Sequence, residues 1–350
     1  MSNHTFIQLF HKGQESLGFA SLQEYFRIIG GVDINSTSLK TYELNYGTPV
    51  MNADITTISP KSNVIQQTFK MDNNRPLVVI GCAPCQGFSA HRKKDSNKPE
   101  DQRNTLIGYF SDIAVNLNPD FIVMENVPEI LTGKYKKHYE EAKKVFTQNG
   151  YHVVQRVYNA AGFGVPQARI RAIIVASKYK KFVLPDEILS AEEYKTVRDA
   201  IADLPHVDAR HQTQVFDRYH RCSAHKQSTI DVIAQVPHDG GSRPKGVGPK
   251  CLDKVNGFSD VYGRLRWDKP SITITQYARN PASGRYSHPE QDRGLTIREV
   301  ARLQSFPDGY LWNGSLGDAF KQIGEAVPPL LALAIATQIA LTIKTKENNE

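Results

Sequence analysis

The stretch Leu77-Val78-Val79-Ile80-Gly81-Cys82-Ala83-Pro84-Cys85-Gln86 decides how this chain is read. Its four leading apolar residues mark a strand buried on both faces. The Pro-Cys-Gln turn that follows holds one thiol rigidly at the rim of a sheet. Open α/β sheets bind their ligands in the crevice outside the carboxyl ends of the strands, so Cys85 stands where a nucleophile is expected. Two more signals are built the same way. The apolar run Phe121-Ile122-Val123-Met124 ends in Glu125-Asn126-Val127. The segment Gln167-Ala168-Arg169-Ile170-Arg171 enters the apolar run Ala172-Ile173-Ile174-Val175. A thiol, a carboxylate and a pair of arginines thus each fall at a strand edge.

Strand patterns recur through the first half, at residues 5–10, 26–33, 77–82, 121–125, 151–158 and 171–176. Residues 106–116 and 136–149 carry helical periodicity between them. This alternation predicts an α/β fold: a Rossmann-like, mostly parallel sheet with helices on both faces. Beyond Ser177 the texture changes. Gly, Pro and polar residues dominate 237–257, which reads as loops and short turns. Helical order returns at 295–304, with Thr296 as its cap, and in the apolar stretch 326–343. That stretch contains Pro328, Pro329 and Gln338 and is marginal in length for a membrane span, so it reads as a buried C-terminal helix. Residues 344–350 read as a frayed tail. No internal repeat is visible.

At 350 residues the chain can bury a full core and is expected to form two domains. A hydrophobic content of 40% and a charged content of 23% are ordinary for a globular protein. Met1-Ser2-Asn3-His4 does not read as the start of a signal peptide. The four cysteines do not suggest a disulfide scaffold. Cys82 and Cys85 form a CxxC, but zinc needs a second pair of ligands, and Cys222 and Cys251 are not spaced as one. Cys82 therefore reads as a packed small hydrophobe. The formal net charge is +7, and residues 218–288, with twelve Lys/Arg against five Asp, carry all of that excess. So localised a basic segment is an electrostatic footprint for phosphates.

In this order, Pro84-Cys85-Gln86, Glu125-Asn126-Val127 and Gln167-Ala168-Arg169-Ile170-Arg171 resemble the catalytic motifs of the DNA (cytosine-5) methyltransferases. The likeness covers most of the chain. Tyr262-Gly263-Arg264-Leu265-Arg266-Trp267-Asp268-Lys269-Pro270 and residues 293–307 resemble the family's ninth motif and its approach. Gly324-Glu325-Ala326-Val327-Pro328-Pro329 resembles the last motif, which packs beside the cofactor pocket. The resemblance implies a catalytic domain at 1–178 and 318–350 that binds S-adenosyl-L-methionine. It also implies a smaller, irregular, β-rich target-recognition domain at 179–317. The expected partner is double-stranded DNA, met by a monomer without metal or membrane. The expected setting is the cytoplasm and nucleoid of a cell with a bacterial or phage modification system.

Cytosine C5 is too weak a nucleophile to attack a methyl sulfonium until a nucleophile adds at C6. A cysteine suits that role because its thiolate is intrinsically strong. An unperturbed thiol has a pKa of about 8.5, so a nearby cation or dipole must activate Cys85. Addition at C6 builds negative charge at N3, where a carboxyl group able to carry a proton suits Glu125. One of Arg169 and Arg171 would donate to the cytosine O2 and the other to a phosphate, since the arginine fork is planar and always charged. The base must leave the duplex to be reached. The resemblance assigns Gln86, Ser89, His91, Asn126 and Gln167 to the substrate, with Gln167 also bracing the arginines. To the cofactor it assigns Phe10, Gly13, Asp33, Ile34, Asp54, Ile55, Pro84, Leu106, Glu325 and Ala326. Asp33 would hold the ribose hydroxyls, and Asp54 would lie near the adenine. One departure stands out. Of the two or three glycines usual after the first strand, only Gly13 remains, and larger side chains obstruct close approach of backbone to a ligand. Two alternatives stay open: an RNA (tRNA) cytosine-5 methyltransferase of the same superfamily and, from this altered turn, a DNA-binding relative with impaired transfer.

Overall fold

The apolar runs become the strands of a single sheet. The computed structural model describes residues 4–9, 15–72, 75–82, 105–209, 217–253 and 260–347. Among these, β1 (His4–Leu9), β2 (Phe26–Asp33), β3 (Val50–Asn52), β4 (Leu77–Gly81), β5 (Phe121–Asn126), β6 (His152–Asn159) and β7 (Ile170–Ser177) form a seven-stranded sheet. Its order is β3-β2-β1-β4-β5-β7-β6. Strands β1 to β5 run parallel, and β7 is antiparallel to both β5 and β6. The Rossmann-like, mostly parallel sheet expected from the alternation is the one that forms.

Its central strands β4, β5 and β7 are apolar on both sides because both sides are covered. Val79, Ile122, Met124 and Ile174 join one core with Ile107, Phe110 and Ile113 of α4 (Leu106–Asn116) and Tyr139 and Phe146 of α5 (Lys136–Gln148). Their alternating neighbours Val78, Ile80, Val123, Ile173 and Val175 point the other way and are equally buried. Besides α1 (Glu15–Ala20), sequence periodicity missed α2 (Ser36–Tyr46) and α3 (Val64–Thr68). Local caps define α2. The Asn35 side chain accepts from the Ser38 N–H, and Gly47 closes the helix at φ 61°.

The last helix also differs from expectation. It begins at Pro329 and runs to Glu347 as α10 (Pro329–Glu347), instead of spanning 326–343 with a frayed tail. Proline fits the first helical position but drives the residue before it into extended backbone. Among the described residues no single helix is long and apolar enough to cross a membrane.

The chain divides into two compact units. The first comprises Met1–Asn159, Ile170–Glu187 and Pro329–Glu350 and contains the sheet. The second comprises Ala160–Arg169 and Ile188–Pro328. The divisions thus fall at 187 and 328, where the sequence placed them at 178 and 317, and residues 160–169 go with the second unit.

The second unit corrects the expectation of a β-rich domain. Its described residues contain only isolated bridges, Gln167 with Ser271, Arg264 with Ser287 and Ser287 with Gly294. Short helices punctuate it: α6 (Val197–Ile201), α7 (Gln227–Ala234), α8 (Ile297–Leu303) and α9 (Leu316–Glu325). Thr296 caps α8 as the sequence suggests, in a reciprocal box with Glu299. Inward-turned arginines take over the work of a ladder. Arg264 is fully buried and donates to the carbonyls of Val236, Ile233, His288 and Gln291. Arg285 donates to those of Gly240, Gly241 and Arg264. Buried carbonyls need partners, and guanidinium forks supply them where Gly- and Pro-rich chain cannot pair into strands.

Candidate active site

The register of the sheet builds the centre of the site. In the antiparallel β5–β7 pair, Glu125 lies opposite Ile173. Arg171, two residues from Ile173, is therefore the diagonal neighbour of Glu125 on the same face, within reach of a long side chain. Its Nε stands 2.6 Å from Glu125 Oε1, and the two side chains are only 12% and 10% exposed. The guanidinium also donates to the Ile170 carbonyl at 2.7 Å. A planar fork anchored in this way fixes both position and orientation of the carboxylate. The next residue, Asn126, is buried and accepts from the Val127 N–H at 2.9 Å, which sets the turn leaving β5.

Strand β4 delivers the chain to the same edge. Gly81, its last residue, pairs with Met124, immediately before Glu125. Only glycine fits there, because a Cβ would lie 2.2 Å from the Phe110 ring. Cys82 is buried, as its reading as a small hydrophobe requires. Pro84, Cys85, Gln86, Ser89 and His91 lie outside the described residues, as do Phe10 and Gly13 after β1.

At the carboxyl ends of β2 and β3 the chain sets out two acids. Asp33 ends β2 and accepts from the Asn35 N–H at 2.6 Å. The Asn52 amide donates to the carbonyls of Asp33 and Ile34 at 3.0 and 2.9 Å, tying this turn to β3. Ile34 is 69% exposed beside it. Asp54 accepts from the N–H and hydroxyl of Thr56 and so caps the short turn Ile55–Thr57. A loop-held carboxylate beside an exposed aliphatic side chain suits a nucleoside, the first for the ribose diol and the second for the base. The residues present therefore fit S-adenosylmethionine at this edge. Ile55 is buried in the core, and Leu106 packs partly buried against it.

In the second unit, Gln167 and Arg169 are buried. Arg169 is 2% exposed and donates to the carbonyls of Ile274 at 2.8 Å, Gly324 at 3.2 Å and Ala326 at 2.9 Å. Gln167 is fully buried, accepts from the Ile274 N–H and donates to the Leu303 carbonyl and the Gln304 side chain. Sequence reasoning passed over Gln304, since nothing local distinguishes it. Glu325 ends α9, and Ala326 follows it, fully buried. Among the described residues no group of three or more His, Cys, Asp or Glu is placed to hold a metal ion.

A doubly wound sheet of this order, with one reversed strand and a carboxylate–arginine pair at its carboxyl edge, defines a Rossmann-like methyltransferase. The chain belongs to the C-5 cytosine-specific DNA methylases, whose family model it matches over residues 5–341. It is 35% identical over 346 residues to the type II methyltransferase M1.HphI of Haemophilus parahaemolyticus, covering 98% of this chain and 88% of that one. It is 32% identical over 340 residues to the type II methylase M.HgiDII of Herpetosiphon aurantiacus, covering 93% and 92%. In fold it is similar to a DNA modification methyltransferase encoded within an E. coli prophage, at a TM-score of 0.74 and 24% identity over 98% of this chain and 100% of that one. Its activity is accordingly transfer of a methyl group to C5 of cytosine in DNA.

Proposed function

We propose that the chain methylates one cytosine within a short sequence of double-stranded DNA, flipped out of the stack and attacked by Cys85 at C6. The observation that carries this reading is the Glu125–Arg171 ion pair at the carboxyl edge of β5 and β7. The Cys85 thiolate adds to C6 while Glu125 stabilises N3 with a proton. The C4–C5 electron pair of the resulting enamine then takes the methyl group. Loss of the C5 proton to solvent, return of the N3 proton to Glu125 and expulsion of the thiolate restore the ring. Arg171 aligns Glu125 and donates to the cytosine O2. Asn126 holds the turn that carries Glu125, and Gln86, Ser89 and His91 contact the flipped nucleotide.

S-adenosylmethionine, when bound, supplies the methyl group as a sulfonium. Asp33 would hold its ribose, and Ile34 and Asp54 its adenine. Ile55 would contribute through its backbone alone, because its side chain belongs to the core. Phe10, Gly13, Pro84, Leu106, Glu325 and Ala326 complete this group. Gln167 and Arg169 are positioning residues in this scheme, since the Gln167 amide and the two terminal nitrogens of Arg169 bond to groups of the second unit. The second unit is the DNA-reading part, and the protein acts as a monomer on DNA in the cytoplasm and nucleoid.

Bisulfite sequencing of unmethylated plasmid tests the reading, after incubation with the protein and S-adenosylmethionine and with Cys85→Ala as control. Protected cytosines in one short context, absent with the control, are the expected result. Folded protein that protects no cytosine sinks the reading.

A further inference from the structure

A closed ring of hydrogen bonds runs through the second unit, and one of its three side chains, Gln304, is outside the assigned machinery. The Ile274 N–H donates to Gln167 Oε1 at 2.9 Å. That bond turns the Gln167 NH₂ toward Gln304 Oε1. The second amide is turned in its place, so the Gln304 NH₂ meets the Ala326 carbonyl at 2.8 Å and that of Ile323 at 3.2 Å. Arg169 completes the circuit, donating to Ala326 at 2.9 Å and to the Ile274 carbonyl at 2.8 Å. A single backbone N–H thus orients two buried amides.

The ring solves a problem at the end of α9. A helix leaves its last carbonyls without intrahelical partners. Here Arg169 and Gln304 serve the carbonyls of Ile323, Gly324 and Ala326. The turn is also pressed against residues 275–276, since a Cβ on Gly324 would lie 2.2 Å from the Gln276 nitrogen. Its backbone cannot shift while both side chains hold it.

We infer that Gln304 is a positioning residue for the cofactor: through the Ala326 carbonyl it sets the Glu325–Ala326 turn in its binding conformation. This rests on the proposed assignment of Glu325 and Ala326 to S-adenosylmethionine. Gln304→Met nearly conserves volume and removes the donor. Val300→Ala opens a cavity in α8, where Val300 is fully buried, and lowers stability while the Gln304 donor to Ala326 stays in place.

The experiment measures three quantities on the full-length chain: thermal midpoint, affinity for S-adenosylmethionine by calorimetry without DNA, and affinity for duplex DNA without cofactor. The expected result is a cofactor Kd raised about tenfold in Gln304→Met, the worth of one net hydrogen bond. It stays near the wild-type value in Val300→Ala although the thermal midpoint falls there too, and DNA affinity holds within about twofold in both. If Val300→Ala weakens cofactor binding in step with its thermal midpoint, the role of Gln304 is merely structural and the inference fails. Loss of DNA affinity with cofactor affinity intact also overturns it. Should Gln304→Met not fold, Gln304→Asn, whose shorter amide falls short of Ala326, takes its place against Val300→Ala. Wild-type protein that binds no cofactor removes the assignment beneath the inference and the inference with it. Wild-type binding with unaltered binding by folded Gln304→Met removes the inference alone.

Discussion

Two arginines separated by one residue have opposite surroundings, and this divides their roles. Arg171 faces a carboxylate at a sheet edge, whereas Arg169 is enclosed by backbone carbonyls. The prediction is a contrast between two conservative changes. Arg171→Lys keeps the charge but loses the fork that aligns Glu125, and kcat is expected to fall on the order of 100-fold for a misaligned group. Arg169→Lys is expected to lower the thermal midpoint first. Glu125→Gln preserves shape but cannot carry a proton, and should lower kcat by about 10²–10⁴ with DNA affinity little changed. Steady-state kinetics on the three variants checks this. A full kcat in Arg171→Lys together with a collapsed kcat in folded Arg169→Lys would reverse the assignment. The motif spacing placed both arginines near the site but could not tell them apart, because the distinction lies in partners 105 to 157 residues away.

At the scale of elements, α8 is tied down by a buried ionic cluster at its first turn. Arg293 grips Glu299 with both ends of its fork, at 2.9 and 2.7 Å. Burial would raise the Glu299 carboxyl, but the Arg293 charge and its hydrogen bonds outweigh this and hold it at about 2. His288, beside the pair, is pushed down to about 4, first by burial, with Arg293 and Arg264 adding to it against Glu299. Its Nδ1 accepts from the N–H groups of Glu290 and Gln291, bonds that protonation would break. The sign follows from linkage. The unfolded chain protonates this histidine below about 6.5, whereas the folded chain resists until about 4. Stability is therefore lost as the pH falls through that window, by on the order of 3 kcal/mol. Glu299 adds a further loss below about 4.5, toward 2. Urea unfolding at pH 7.5 and 5, with roughly equal stability at pH 7.5 and 8, is the check. His288→Gln should flatten the decline between pH 6.5 and 4, and an unchanged slope in that variant would refute the assignment.

For the molecule as a whole, charge count and charge placement are different things. The basic excess of residues 218–288 pointed to phosphate binding, and the family confirms DNA as substrate. Yet Arg264, Arg285 and Arg243 turn inward to carbonyls and to Asp292, Asp260 and Asp253. Lys245 and Lys250 are exposed. Non-specific duplex affinity should weaken with salt. Lys245→Gln and Lys250→Gln should each lower the log–log slope by about 1 if they meet phosphates. Arg285→Met should lower the thermal midpoint and leave that slope alone, and a reduced slope in Arg285→Met would count against this partition. The sequence by itself determined the central strands of the sheet, since strands covered on both faces must be apolar throughout and their runs are legible without any partner. It also determined the order of the catalytic motifs and the presence of Glu125 at a strand end, because strand ends follow from the same runs. Tertiary structure alone decided that the described residues of the second unit pair only in isolated bridges, with arginines serving their carbonyls. It alone decided which arginine meets Glu125 and that Gln304 closes a ring. Those outcomes depend on hydrogen bonds between segments far apart in the chain, and such partners leave no periodicity in the sequence to read.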